Sequence, residues 1–154
     1  TDHASGHWLA VRKFMEFAGQ DCPDTYKELD EATRILRARL MLEETVEKIR
    51  KGLGIAVELQ HNVLTAGSVE DAKFYIVGPF DPVETIDGCM DCNVISAGTM
   101  IAMGLPDLPF QQEVDDSNLR KFGPGGRRRE DGKWLKPPNW TPPNIPETLR
   151  QFGG

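Results

Sequence analysis

The sequence predicts a mainly α-helical protein: a helical bundle carrying a short β-hairpin insertion and ending in an extended, proline-rich C-terminal arm. Three observations carry this. Long stretches of Leu, Ile, Ala and Glu repeat at helical spacing. Two short β-prone runs stand together between residues 52 and 80. Glycine and proline crowd the last thirty or so positions. The 154 residues fit one domain spanning 1–154, with the insertion at about 52–80 and the arm at about 123–154.

The elements follow in order. From His7 to Gly19, Trp8, Leu9, Val11, Phe14, Met15 and Phe17 make an amphipathic helix closed by a glycine. A turn containing Pro23 covers 20–26. The longest helical pattern runs from Lys27 to Lys51 through Leu29, Ile35, Leu36, Leu40, Val46 and Ile49, and Gly52 and Gly54 stop it. The runs Ile55–Leu59 and Phe74–Val77 read as strands joined by a polar turn near Gly67-Ser68, the first also compatible with a helix extension. A second long helix begins at Pro82, with Asp81 as N-cap, and continues to Met100 or Met103. Pro109 to Leu119 forms another. Beyond Gly123, the prolines at 124, 137, 138, 142, 143 and 146 read as an arm rather than a core element.

Composition narrows the function classes. The chain is 39% hydrophobic and 27% charged, ordinary for a globular protein. No apolar run is long enough to span a bilayer, and the first residues lack the pattern of a secretory signal, so no membrane partner and a cytoplasmic location are expected. The formal charge of −6 argues against general nucleic-acid binding, and no stable nucleic-acid partner is expected. Three cysteines, Cys22, Cys89 and Cys92, give no complete disulfide framework. Cys89-x-x-Cys92 is half a zinc site with no second pair, so small residues on a helix flank is the better reading.

The strongest chemical signal is acidic. Glu43, Glu44 and Glu47 fall in one helix, and Glu84, Asp87 and Asp91 in another. Spacings of three and four place side chains on one helical face. The second helix is otherwise apolar or small, so its carboxylate stripe should be partly desolvated. Converging like charges there would repel unless protonated or neutralised by a hard divalent cation such as Mg²⁺ or Mn²⁺. The competing reading makes both stripes solvated surface, ion-paired to Arg37, Arg39, Lys48 and Arg50. Spacing alone leaves these two readings about level.

Arg39-Leu40-Met41-Leu42-Glu43-Glu44-Thr45-Val46-Glu47, followed by Glu84-x-x-Asp87-x-x-x-Asp91, resembles the all-α nucleotide pyrophosphohydrolase superfamily. That group includes MazG-like enzymes, phosphoribosyl-ATP pyrophosphohydrolases and dimeric dUTPases. The stretches 14–20, 117–121 and 129–140 are similar to its smaller, often phage-encoded members. The resemblance implies a MazG-like bundle that hydrolyses a nucleoside triphosphate at the α-phosphorus, giving a monophosphate and diphosphate. Glu44, Glu47, Glu84 and Asp87 would ligate Mg²⁺ (or Mn²⁺), and Asp91 would support the site or hold a further ion. Glu43 would be the catalytic group, orienting or deprotonating water. Asn118 and Lys121 would contact sugar or phosphates, while Lys136 and Asn139 close the pocket. It also implies a homo-oligomer, dimer or tetramer, in a bacterial or phage-infected cell. The gap between the two acidic pairs, residues 48–83, is wider than the family commonly has.

Base selection is less legible. Trp8, Phe14, Phe17 and Gln20 are candidates to stack on a base and read its edge, although core packing is the better reading for each phenylalanine. A deoxypurine triphosphate such as dGTP, the substrate of a MazZ-type phage branch, is one expectation; dUTPase or phosphoribosyl-ATP hydrolase activity is an alternative. A helical oligomer that binds nucleotide or metal without turnover is another. His61 reads as a surface residue. Arg127, Arg128 and Arg129 follow a glycine-rich loop and read first as a solvated charge run. Arg128 is the substrate candidate among them, as part of a triphosphate clamp.

Overall fold

The computed structural model describes residues 2–154. Among these residues six α-helices dominate, of which the apolar spacing predicts the first, second, fourth and fifth: α1 (Gly6–Phe17), α2 (Glu31–Glu47), α3 (Ala66–Glu70), α4 (Pro82–Ala102), α5 (Leu108–Leu119) and α6 (Ile145–Gln151). Two small antiparallel pairs accompany them, β1 (Ile55–Glu58) with β2 (Lys73–Ile76) and β3 (Arg127–Arg128) with β4 (Trp134–Leu135). The chain divides into two compact units. The first is 1–29 with 97–154, the second 30–96.

The first unit has an apolar core. Trp8, Val11 and Met15 recur on one face of α1 and pack with Ala97 and Ile101 of α4; Ile101 is 1% exposed. The Trp8 indole N–H donates to the Leu105 carbonyl at 2.9 Å, satisfying the one polar atom that this ring buries. Ser5 caps α1 by accepting from the Trp8 N–H, and its own hydroxyl donates to Asp107, tying the helix start to the turn before α5. Gly104 adopts φ +70°, and a Cβ there would strike the Thr25 carbonyl, so glycine is required where α4 ends.

The second unit is built differently. Asp81 caps α4 by accepting from the Glu84 N–H at 3.1 Å, with Pro82 in the first helical position, as expected. α2 ends at Glu47 and widens into a π-helical turn, Lys48–Gly52, which the sequence reading continued as α-helix. β1 and β2 pair in the register Ile55↔Ile76 to Glu58↔Lys73. They are not joined by a tight turn: α3 intervenes, because Thr65 and Ser68 form a reciprocal capping box that starts a helix where a polar turn was expected.

The C-terminal segment also differs from a wholly extended arm. The β3–β4 ribbon interrupts it, and α6 closes it. Asn144 accepts from the Glu147 N–H to start α6, and Phe152 beyond it packs on Phe110 and His3. No helix among the described residues is long and apolar enough to cross a membrane.

Candidate functional site

All six predicted acids lie in the second unit, on α2 and α4. Two glycines show how closely α4 meets the π-helical turn that follows α2. A Cβ on Gly88 would stand 2.8 Å from Lys48 Cβ, and one on Gly52 would stand 2.8 Å from Thr85 Cα. Gly88 lies between Asp87 and Asp91, one residue past the motif acid, so the tight crossing is placed beside the acidic stripe. The sequence reading passed over Gly88. Its signal was a glycine inside an otherwise strong helical pattern, which usually has a packing reason.

The crossing gathers the charges. Glu44 is half-buried, and burial pushes its carboxyl above the ordinary value of 4.5; the charges of Asp91, Glu47, Asp87 and Glu43 push it further the same way. So α2 and α4 together surround one carboxyl with four others. Asp91 is half-buried, whereas Glu43, Glu47, Glu84 and Asp87 are exposed. A small cavity of about 90 Å³ adjoins Glu44 and is lined also by Met41, Thr45, Cys92, Ile95 and Ser96.

Two of the four expected ion-pair partners make other contacts. Arg37 is buried, 7% exposed, and donates to the Ile95 carbonyl at 2.9 Å; desolvation lowers its pKa. Lys48 reaches past Gly88 to the Cys92 sulfur at 3.5 Å. Among the described residues, no salt bridge involves any of the six acids. The donor set is all carboxylate oxygen, the chemistry that suits Mg²⁺ or Mn²⁺. Even so, no group of three or more His, Cys, Asp or Glu among the described residues is arranged to hold an ion. The face is charged and converging, not closed into a cage.

The predicted substrate residues all lie in the first unit. Trp8 is core, not a base platform. Phe14 and Phe17 are 64% and 82% exposed, so core packing, the better reading for them from sequence, does not hold. Gln20 lies beyond the end of α1, after Gly19 at φ +74°, with its N–H donating to the Met15 carbonyl. Asn118 sits exposed in the last turn of α5. Lys121 and Lys136 meet over one ring: their ammonium groups lie 5.5 and 4.7 Å from the Trp140 centroid. Asn139 and Trp140 line an open cleft of about 580 Å³ with Arg120, Phe122 and Pro137.

The arginine run is exposed, as a solvated charge run should be, and part of it is strand. Arg127 and Arg128 form β3 against Leu135 and Trp134, and Arg129 pairs with Asp131, whose carboxyl that guanidinium holds down at about 2. His61 is exposed, 3.6 Å from Asp71, as a surface residue should be. All three cysteines are free thiols. No protein-family model and no curated protein matches the chain, so the site stands on its own chemistry.

Proposed function

We propose that the protein is a divalent-metal-dependent nucleoside triphosphate pyrophosphohydrolase, converting a (d)NTP and water to a (d)NMP and diphosphate. The observation that carries this reading is Glu44, a half-buried carboxyl on α2 faced by Asp87 and Asp91 of α4 as well as by Glu43 and Glu47. The like charges of Asp91, Glu47, Asp87 and Glu43 act on the Glu44 carboxyl, and none of the five enters a salt bridge among the described residues. Such an arrangement is stabilised by whatever positive charge enters it.

In this reading Glu44, Glu47, Glu84 and Asp87 hold Mg²⁺ or Mn²⁺, and Asp91 backs Glu44 or takes a further ion. The bound ion supplies charge neutralisation for the triphosphate and lowers the pKa of water. Glu43 is exposed on the same helix as Glu44 and orients or deprotonates the attacking water. The resemblance would assign Asn118 and Lys121 to sugar or phosphates, Lys136 and Asn139 to closing the pocket, Arg128 to a triphosphate clamp, and Phe14, Phe17 and Gln20 to the base.

The enzyme works as a homo-oligomer, a dimer or tetramer of MazG-like helical bundles. Its support is the second unit, where large apolar side chains remain exposed along α2, β2 and α4: Ile35, Leu36, Val46, Ile76, Val83 and Ile86 are 47% to 83% exposed. Exposed apolar surface on that scale marks an association site.

The open arrangement of the acids favours one second reading, a nucleotide-holding oligomer without turnover. A panel of the eight common nucleoside and deoxynucleoside triphosphates, including dGTP and dUTP, separates the two. With Mg²⁺ or Mn²⁺ the hydrolase releases diphosphate from at least one, and Glu44→Gln or Glu47→Gln stops it while the protein stays folded. Tight binding without turnover across the panel selects the second reading. Orthophosphate as the product, or active variants, refutes the mechanism.

A further inference from the structure

The chain is acidic overall, yet residues 120–136 hold seven basic side chains and only two acidic ones, Glu130 and Asp131. Aromatic rings are interleaved with them, and two are fixed in attitude. The Trp134 indole N–H donates to the Lys121 carbonyl at 2.7 Å, and the Trp140 indole N–H donates to the Ser117 carbonyl at 2.7 Å. Gly126 lets the ribbon close on the first of these, because a Cβ there would stand 2.8 Å from Trp134 Nε1. Phe122, 64% exposed, stacks on Trp134 with centroids 4.9 Å apart and planes at 29°. Lys121 and Lys136 stand over Trp140. Arg129 is committed to Asp131, whereas Arg127 and Arg128 are exposed and enter no ion pair among the described residues.

From these pinned indoles, an exposed stacked phenylalanine and four cations that enter no salt bridge among the described residues, we infer that the 120–140 segment is a docking surface for single-stranded nucleic acid. Cations alone would attract any polyanion. The aromatic faces add a requirement: a base must be unstacked to lie on them, and only a single strand offers bases freely. Phe122 supplies the exposed stacking surface, while Arg127 and Arg128 on β3 and Lys121 and Lys136 over Trp140 supply phosphate contacts. This surface rests on neither the acidic face nor its metal.

Fluorescence anisotropy of a labelled oligo-dT strand, titrated with the full chain in EDTA over a salt series, tests it. Binding should fall steeply with salt. Arg127→Gln with Arg128→Gln should weaken it about tenfold or more and flatten the log–log salt slope by about 1.4, from two lost single-strand phosphate contacts at about 0.7 each. Phe122→Leu, at an exposed position that leaves the indole anchors in place, should weaken binding at least about fivefold with little change in salt slope. Melting temperatures of the variants establish that they remain folded. No binding to the strand, or equal affinity for a duplex of the same length, overturns the proposal. So does an unchanged affinity in either variant.

Discussion

The two units solve the problem of burial in opposite ways. In the first, Trp8, Val11, Met15, Ala97 and Ile101 vanish from solvent into one apolar cluster. In the second, the buried positions are Arg37, Gly52, Gly54, Ser68 and Gly88, and no large apolar side chain is fully buried. The first unit holds its own core; the second leaves large apolar side chains exposed and carboxylates without a salt bridge.

Removing the first unit's anchor should have the largest effect on stability. Trp8→Ala deletes the largest core side chain and strips the Leu105 carbonyl of its donor, and should cost about 3–5 kcal/mol by denaturant titration. Ile76→Ala in the exposed strand of the second unit should change the monomer by less than about 1 kcal/mol. If the two costs match, the contrast between the units is wrong.

Gly88→Ala sharpens the comparison from the other side. Alanine favours a helix over glycine by about 1 kcal/mol, yet its Cβ would press on Lys48 Cβ. Forcing α4 away from the π-helical turn after α2 should outweigh that gain and leave a net loss of about 1–2 kcal/mol. The divalent-ion shift in melting temperature should shrink with it. A stabilised Gly88→Ala would mean the close crossing carries no constraint.

A third prediction concerns pH. Glu44 titrates above its unfolded value of about 4.5, so the folded state holds its proton more tightly. Without divalent ions, this group's favourable contribution is complete below the unfolded pKa. It is lost as pH rises from there through the folded pKa. Glu44→Gln should remove that part of the slope, and Mg²⁺ or Mn²⁺ should raise the melting temperature of the wild type at neutral pH but not of the variant. The smallest effect belongs to the exposed Arg129–Asp131 pair: Arg129→Gln should return the Asp131 carboxyl from about 2 toward 3.8 by NMR titration, with no measurable change in melting temperature.

Much of this was legible in the sequence because it depends on local rules. Asp81-Pro82 announced the start of α4, and the β-prone runs 55–59 and 74–77 announced a strand pair. What was not legible depends on contacts across the chain. Nothing local says that Arg37 is buried against Ile95, that Gly88 is a crossing point, or that the indoles of Trp134 and Trp140 are anchored to distant carbonyls. The π-helical turn after Glu47 escaped for the same reason, since Lys-Ile-Arg-Lys-Gly carries no signal against ordinary helix. In the acidic site, spacing placed the side chains on faces; only the fold placed Asp91 and Asp87 opposite Glu44.

The central claim is that the acidic face of α2 and α4 directs water to the α-phosphorus of a nucleoside triphosphate. The most direct measurement is turnover in heavy-oxygen water with Mn²⁺ or Mg²⁺, with mass analysis of both products, for wild type and Glu44→Gln. The account predicts the label in the monophosphate, none in the diphosphate, and no turnover in the variant. Label in the diphosphate or in orthophosphate, or equal labelling by the variant, would contradict it.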